Sequence, residues 1–324
     1  MRLLSVLVVL GMLTTACAQD PDSGGGSGGR ASTGGKVGSG GKVGSGGTTS
    51  SGGRSGSGGT SATGGSQPPA SVDCQDTSTF VATVAGQYEA AHITVDGNAN
   101  KTYYMQANWW GTPWNNQTER INGLGFKMTN SPPNNVTSKQ YTPMGFPSIY
   151  IGSYQGRSSK GSNLPKQIGS LSSVQTVFQT NAEQIGWSGY NAAYDVWLTN
   201  SSSALSSGAS SPCPGAYLMV WLFKTADEQP RGSIYIDGRS IPGVPGSWTV
   251  WIDDENPSCS CVSYVSNTKL SSLEFDLAAF LKDAANKKYG NITTSQYLSV
   301  IFAGFEVWGG GDGLDLKRFC ADVK

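Results

Sequence analysis

The amino-acid composition of the chain changes sharply near residue 72. Residues 20–70 are almost entirely Gly, Ser and Thr, and the unit Lys-Val-Gly-Ser-Gly-Gly repeats in tandem from Lys36 and Lys42. Such a segment buries too little apolar surface to offset its chain entropy. We therefore predict a disordered linker over residues 19–72, which as a flexible coil spans on the order of 40 Å. The remainder, residues 73–324, contains all nine Trp residues and has a length that suits one large domain.

The N-terminus has the pattern of an export signal over residues 1–18. Arg2 precedes an apolar run, residues 3–13, that is too short to span a bilayer, which takes ~20 residues. Cleavage after Ala18 would release the protein. Alternatively, residues 13–17 resemble a lipobox that ends in a lipidated Cys17, although Thr14 replaces the usual large aliphatic residue. The long polar linker favours the lipoprotein. Both routes predict an extracellular or cell-surface protein, with a lipid on Cys17 as its only membrane anchor.

Charge and histidine content exclude several classes of function. The chain has 22 basic and 22 acidic residues and no basic stripe, so nucleic acid is not an expected partner. Its single histidine, His92, cannot supply Ser-His-Asp or Cys-His catalysis or a His-based metal site. We expect a monomer without metal or cofactor, whose chemistry depends on carboxylates or tyrosine.

Five cysteines follow the export signal: Cys74, Cys213, Cys259, Cys261 and Cys320. In an oxidising compartment some of them should form disulfides. Cys74 and Cys320 flank the domain and could join its ends, while Cys213 could pair with Cys259 or Cys261. The odd number leaves one thiol, and the pairing stays open.

The domain has the signature of an all-β fold. Turn signals such as Asp96-Gly97 and Asp237-Gly238 separate short runs rich in Val, Ile, Tyr and Trp, which predicts an antiparallel β-sandwich. One segment differs: Leu277, Phe280, Leu281 and Ala284 have helical spacing. We predict a single packed α-helix, capped by Asp276 and stopped at Gly290.

Three predicted strands are rich in aromatic residues, and two of them also have an acidic residue. Period-two geometry puts Asp195 and Trp197 on one face of their strand and Glu306 and Trp308 on one face of another. In the third, Tyr217, Met219, Trp221 and Phe223 share a face, and we interpret Met219 and Trp221 as core. Glutamate is rarely buried without a partner. Aromatic rings beside carboxylates therefore favour a polysaccharide site.

These residues resemble family-12 glycoside hydrolases, which are retaining β-1,4-glucanases and xyloglucanases with a jelly-roll fold. Five segments carry the resemblance in the family's order: residues 108–111 (NWWG), 193–197 (AYDVW), 218–221 (LMVW), 229–232 (QPRG) and 303–310 (AGFEVWGG). The resemblance implies that Glu306 is the general acid/base and that Asp195 supports the nucleophile. It also implies sugar contacts from seven residues: Asn108, Trp109, Trp110, Trp114, Trp197, Met219 and Trp308.

The nucleophile position departs from the family. The resemblance puts a Glu two residues before the Met, and this chain has Tyr217 there. Asp195 could substitute as nucleophile or base, Tyr217 could itself attack, or the cleft could bind glucan without cleaving it. We predict a hydrolase acting on β-1,4-glucan or a related plant polysaccharide, with a non-catalytic carbohydrate-binding domain as the alternative.

Overall fold

The computed structural model describes residues 74–112, 116–132, 143–184, 189–202, 215–225, 228–256 and 259–324. The predicted export signal, the linker, Cys17, Trp114 and Cys213 lie outside these ranges. Within them, no helix is long and apolar enough to cross a membrane.

Two β-sheets form a sandwich. The six-stranded sheet has the order β1-β4-β5-β17-β9-β15, and the main path of the eleven-stranded sheet is β12-β13-β14-β11-β10-β16-β6-β3-β2. The strands of the first are β1 Val81–Ala85, β4 Thr118–Asn122, β5 Phe126–Asn130, β9 Val174–Thr180, β15 Ser272–Asp276 and β17 Asp315–Val323. Those of the second are β2 Ala90–Val95, β3 Asn98–Gln106, β6 Ser148–Tyr154, β7 Arg157–Ser158, β8 Lys166–Gln167, β10 Asn191–Thr199, β11 Gly215–Lys224, β12 Ser233–Arg239, β13 Trp248–Asp253, β14 Ser260–Ser266 and β16 Tyr297–Gly304.

The central strands of the larger sheet are buried on both faces. All nine residues of β10 are buried, between β11 on one side and β16 on the other. Tyr194, Val196 and Leu198 face the core between the sheets, whereas Ala193 and Trp197 belong to a second apolar cluster on the opposite face. The alternation predicted for this strand is confirmed, and it gives the larger sheet a second buried face.

The predicted sandwich is confirmed, with two differences of strand pairing. β11 and β14 run parallel, whereas the other described pairs are antiparallel. The register of β10 and β11 also shifts, because Ala192 lies opposite Phe223 but Ala193 lies opposite Trp221. This bulge turns Phe223 into the main core, where it stacks on Tyr190. The prediction that Phe223 shares a face with Trp221 is therefore wrong.

The predicted helix, α1, spans Ala278–Lys287. Asp276 Oδ1 accepts hydrogen bonds from the N–H groups of Ala278 (3.0 Å) and Val174 (2.7 Å), so its carboxylate satisfies an end of the helix and joins it to β9. Phe280 contacts Phe275 of the smaller sheet and Trp248 of the larger one. The helix ends before Gly290, at the left-handed Lys288 (φ 57°).

A disulfide joins Cys74 to Cys320, across 246 residues of sequence. Cys320 lies on β17, in the main core, so the bond fixes the start of the described domain to its last strand. Cys259 and Cys261 each take part in a disulfide bond as well.

Candidate active site

The second apolar cluster covers the outer face of the larger sheet, which we call the site face. Its buried members are Phe146, Tyr150, Tyr154, Ala193, Trp197, Tyr217, Met219, Trp221, Cys261, Val265, Val300 and Phe302. Partly buried residues pack against it: Tyr104, Trp110, Trp251, Cys259 and Trp308. Trp221 and Met219 are buried, as predicted, but in this second cluster on the site face and not in the core between the sheets.

Asp195 lies at the centre of this face. It is opposite Met219 of β11 and Phe302 of β16. Its Oδ2 accepts a hydrogen bond from Trp197 Nε1 (3.0 Å), while its Oδ1 is buried without a hydrogen-bond partner among the described residues. Burial raises the pKa of Asp195 to about 7, against the opposing effect of the hydrogen bonds from Trp197 and from the Val196 backbone.

Glu306 follows β16 and is held by Asn191, the first residue of β10. Asn191 Nδ2 donates to Glu306 Oε2 (2.5 Å), and Asn191 Oδ1 accepts from the Glu306 backbone N–H (3.0 Å). Glu306 Oε1 is buried without a partner among the described residues. Burial raises the pKa of Glu306 to about 8; the Asn191 hydrogen bond lowers it, and the negative charge of Asp195 raises it further. The two carboxyl groups therefore interact.

Tyr217 lies beside Asp195 on the site face. Its Cα is opposite Trp197, two residue pairs along from the Asp195–Met219 pair, and its ring makes an edge contact with that of Trp197 (centroids 5.3 Å). Burial and the charge of Asp195 raise the pKa of Tyr217, and only Arg231 opposes them. The phenol therefore stays protonated at neutral pH.

The two tryptophans of the Asn108–Gly111 segment point to different environments. Trp109 is fully buried in the main core and donates from Nε1 to Glu119 Oε1 (2.8 Å). Trp110 is partly buried and packs against the site face. Asn108, just before them, has a left-handed backbone (φ 52°), and the two successive Trp side chains lie in different clusters. Trp109 is therefore a core residue, and the prediction that it contacts sugar is wrong.

Trp308 and Trp197 occupy different positions on this face. Trp308 is partly buried and lies near Trp221 (ring centroids 6.3 Å). Trp197 is almost completely buried, and its Nε1 donates to Asp195. It therefore orients the Asp195 carboxylate and presents little of its ring to a sugar. Within the described residues, no cluster of three or more His, Cys, Asp or Glu could hold a metal ion.

Known proteins resemble the chain over this whole domain. The sequence pattern of Glycosyl hydrolase family 12 matches residues 101–324. The chain belongs to this family. A probable cellulase, Cel12b, of Mycobacterium tuberculosis is 30% identical over 163 residues, which cover 50% of this chain and 99% of that protein. Endoglucanase S of Pectobacterium parmentieri is 26% identical over 236 residues, covering 69% of this chain and 83% of that protein.

The fold agrees with solved structures of the family. A metagenome-derived family-12 endoglucanase superimposes with a TM-score of 0.64 at 27% identity, covering 76% of this chain and 98% of that one. The chain is therefore a member of glycoside hydrolase family 12, similar to cellulases and endoglucanases of that family and built on the predicted sandwich.

Sequence reasoning missed two residues that this family-12 domain uses to hold its acidic side chains. Asn191 shares the face of Ala193 and Asp195 by simple alternation. Extending that alternation two residues toward the N-terminus from Ala193 would have found it. Arg231, in the predicted QPRG segment, forms an ion pair with Asp253 and is the cation that acts on Tyr217. That pair joins β13 to the segment before β12, and no local pattern predicts it.

Proposed function

We propose that this family-12 domain hydrolyses β-1,4-linked glucan, with Glu306 as general acid and Asp195 as general base. Glu306 would protonate the leaving glycosidic oxygen. Asp195 would take a proton from a water molecule whose oxygen bonds to the anomeric carbon as the C–O bond breaks. The relatives named a cellulase and an endoglucanase support this substrate class.

One observation carries the proposal: buried polar atoms on the site face lack hydrogen-bond partners among the described residues. Two are indole N–H donors, of Trp110 and Trp221, and two are carboxyl oxygens, Asp195 Oδ1 and Glu306 Oε1. Unpaired buried polar atoms cost about 1–3 kcal/mol each. A sugar hydroxyl both donates and accepts, so a polyhydroxylated chain supplies a partner to both kinds of atom.

The two raised pKa values give each carboxyl its proposed role. Burial raises the pKa of Glu306, to about 8, above that of Asp195, about 7, so Asp195 loses its proton first as pH rises. A general base must be ionised and a general acid protonated. Tyr217 is a poor nucleophile in the same range, because its phenol is held neutral.

A non-catalytic glucan-binding domain is the second candidate. Tyr217, placed by the resemblance at the nucleophile position, is buried and packed against Trp197. If Asp195, the second carboxyl group on the described part of this face, cannot reach the reacting carbon, the face would bind a glucan chain and leave it intact.

The two candidates are separated by measuring hydrolysis and binding on the same glucans. We expect reducing ends to be released from soluble β-1,4-glucan, and affinity electrophoresis to show retardation by the same polymer. Trp110→Ala should weaken retardation roughly tenfold, since it removes a flat ring and an N–H donor. Tyr235→Ala is the matched control: Tyr235 is exposed, but its ring packs against Tyr289 and not against the site face.

Retardation without reducing ends would favour the binding domain. Absence of both on glucan, xyloglucan and mixed-linkage polymers would refute both candidates.

We also propose that the domain acts outside the cytoplasm, held at the cell surface by a lipid on Cys17. The Cys74–Cys320 disulfide supports an oxidising compartment. Labelled palmitate should be incorporated into the wild-type protein but not into Cys17→Ser. If neither protein is labelled, the lipid anchor is refuted and secretion without an anchor is the alternative.

A further inference from the structure

A buried carboxyl group outside the proposed chemistry supports one end of the site. Glu119 lies on β4 of the smaller sheet and is fully buried. Its Oε1 accepts the Trp109 Nε1 hydrogen bond (2.8 Å), and its Oε2 has no partner among the described residues. Because Trp109 follows β3 of the larger sheet, this bond joins the two layers of the sandwich.

Trp109 is fixed in turn to the segment that carries Trp110. Its backbone N–H donates to Gln87 O (2.8 Å), and Gly111 N–H donates to Met144 O (2.8 Å). Gly145 packs so closely on the Trp109 ring that a Cβ there would lie 2.6 Å from Trp109 Cε3. The indole is therefore enclosed between Gly145 and Glu119, with no room to rotate.

The same contacts lead to the proposed acid. Phe146 N–H donates to Asn108 O (2.9 Å), Met144 N–H donates to Val307 O (2.6 Å), and Val307 N–H donates to Gly145 O (3.0 Å). Val307 stands between Glu306 and Trp308. One short stretch of chain, 144–146, thus connects the Trp109 anchor to the acid and to a second aromatic ring.

We propose that Glu119 is a positioning residue for the site face: its carboxyl group anchors Trp109 and thereby fixes Trp110, and through residues 144–146 the segment around Glu306. The expected effect of Glu119 on glucan binding rests on the proposed function. Its effect on the order of the Trp110 segment and of residues 144–146 does not.

The protonation of Glu119 makes this anchor sensitive to pH. Burial raises the pKa of Glu119 to about 8; the Trp109 hydrogen bond lowers it, and the charge of Glu89, the other group acting on it, raises it. The folded state therefore favours the protonated form. The contribution of the Glu119 carboxyl to the free energy of unfolding is largest below the ordinary carboxyl pKa of about 4.3. It is lost as pH rises from there through about 8.

Hydrogen exchange of the full chain, read by mass spectrometry, tests the anchor without any glucan. Glu119→Met removes the acceptor and keeps an apolar side chain of similar size. We expect exchange in peptides covering 108–112 and 143–147 to quicken about tenfold, since Trp109 Nε1 is left unpaired. Trp109→Phe, which keeps a ring but has no N–H, should do the same if Glu119→Met folds poorly.

Glu119→Gln keeps the acceptor but cannot ionise. It should exchange at the wild-type rate at pH 6 and should lose the increase that the wild type shows at pH 9, after correction for intrinsic rates. Glu274→Gln is the control, because Glu274 is an exposed glutamate of the same sheet. Unchanged exchange in both Glu119→Met and Trp109→Phe would overturn the proposal.

Affinity for soluble glucan provides the functional measurement. We expect Glu119→Met to bind about tenfold more weakly and also to lower kcat, because the segment around Glu306 is loosened too, and we expect Glu119→Gln to behave like the wild type in both. If the wild-type protein binds no glucan, the proposed function fails, while faster exchange in Glu119→Met would still support the anchor.

Discussion

Glu306→Gln is expected to lower kcat on β-1,4-glucan by roughly 10²–10⁴-fold, the usual contribution of a general acid. The amide has nearly the same shape and still accepts from Asn191 Nδ2, which at present bonds to Glu306 Oε2. It cannot deliver a proton to the leaving oxygen. Affinity electrophoresis on the same glucan should therefore be almost unchanged, and reducing-end release should show the loss.

The leaving group separates acid catalysis from a general loss of structure. An aryl glycoside whose phenol leaves as a stable anion needs little protonation, so Glu306→Gln should be much less impaired on it than on glucan. Glu274→Gln, a change at an exposed glutamate, should match the wild type on both substrates. Equal losses on both substrates would mean that Glu306 is not the acid.

The pH dependence of kcat/KM follows from the same assignment. Activity should rise as Asp195 ionises near pH 7 and fall as Glu306 loses its proton near pH 8, which gives a narrow, slightly alkaline optimum. On the activated aryl glycoside, Glu306→Gln should keep the acid-side limb and lose the alkaline one. A profile without the acid-side limb would contradict the role of Asp195.

Much of the fold could be predicted because its signals are local. Period-two alternation placed Asp195 and Trp197 together, and helical spacing located α1 within a few residues. The bulge that turns Phe223 into the core and the parallel pairing of β11 with β14 could not be predicted in this way. Both depend on which strands meet, and that is decided by contacts distant in sequence.

The site was predicted in part for the same reason. Trp109 and Trp110 are chemically identical, and the contacts that hold Trp109 in the core, its hydrogen bond to Glu119 and its packing on Gly145, involve residues distant in sequence. Glu119 was missed because Glu119 and Arg120 look like an exposed charged pair. Alternation with the buried Ile121, however, puts Glu119 on the inner face.

Tyr217→Glu is expected to raise the rate of glucan hydrolysis by roughly 10²-fold or more and to change its stereochemistry. The resemblance to the family places its nucleophile at position 217, two residue pairs from the pair of Asp195 and on the same face. A carboxylate there would attack the anomeric carbon directly, and Glu306 would protonate the leaving oxygen. The wild type, acting through water and Asp195, should invert configuration, whereas Tyr217→Glu should retain it.

Proton NMR of the first-formed anomer distinguishes inversion from retention. A 2-deoxy-2-fluoro glycoside should form a covalent adduct with Tyr217→Glu alone, which mass spectrometry would detect as a mass increase on residue 217. Tyr217→Gln has the same size as Tyr217→Glu without the charge, and should show neither gain nor label. The new carboxylate would be buried near Asp195 and Glu306, so the variant should also unfold at a lower temperature than Tyr217→Gln.

The comparison with Tyr217→Gln decides the role of the tyrosine. If Tyr217→Glu is no faster than Tyr217→Gln while both fold and bind glucan, position 217 does not face the anomeric carbon. If Tyr217→Glu gains activity and the wild type has none, the tyrosine is what converts this face from hydrolysis to binding. If both are active with opposite stereochemistry, Asp195 has taken over the second carboxyl role, because among the described residues it is the carboxylate whose charge acts on Glu306.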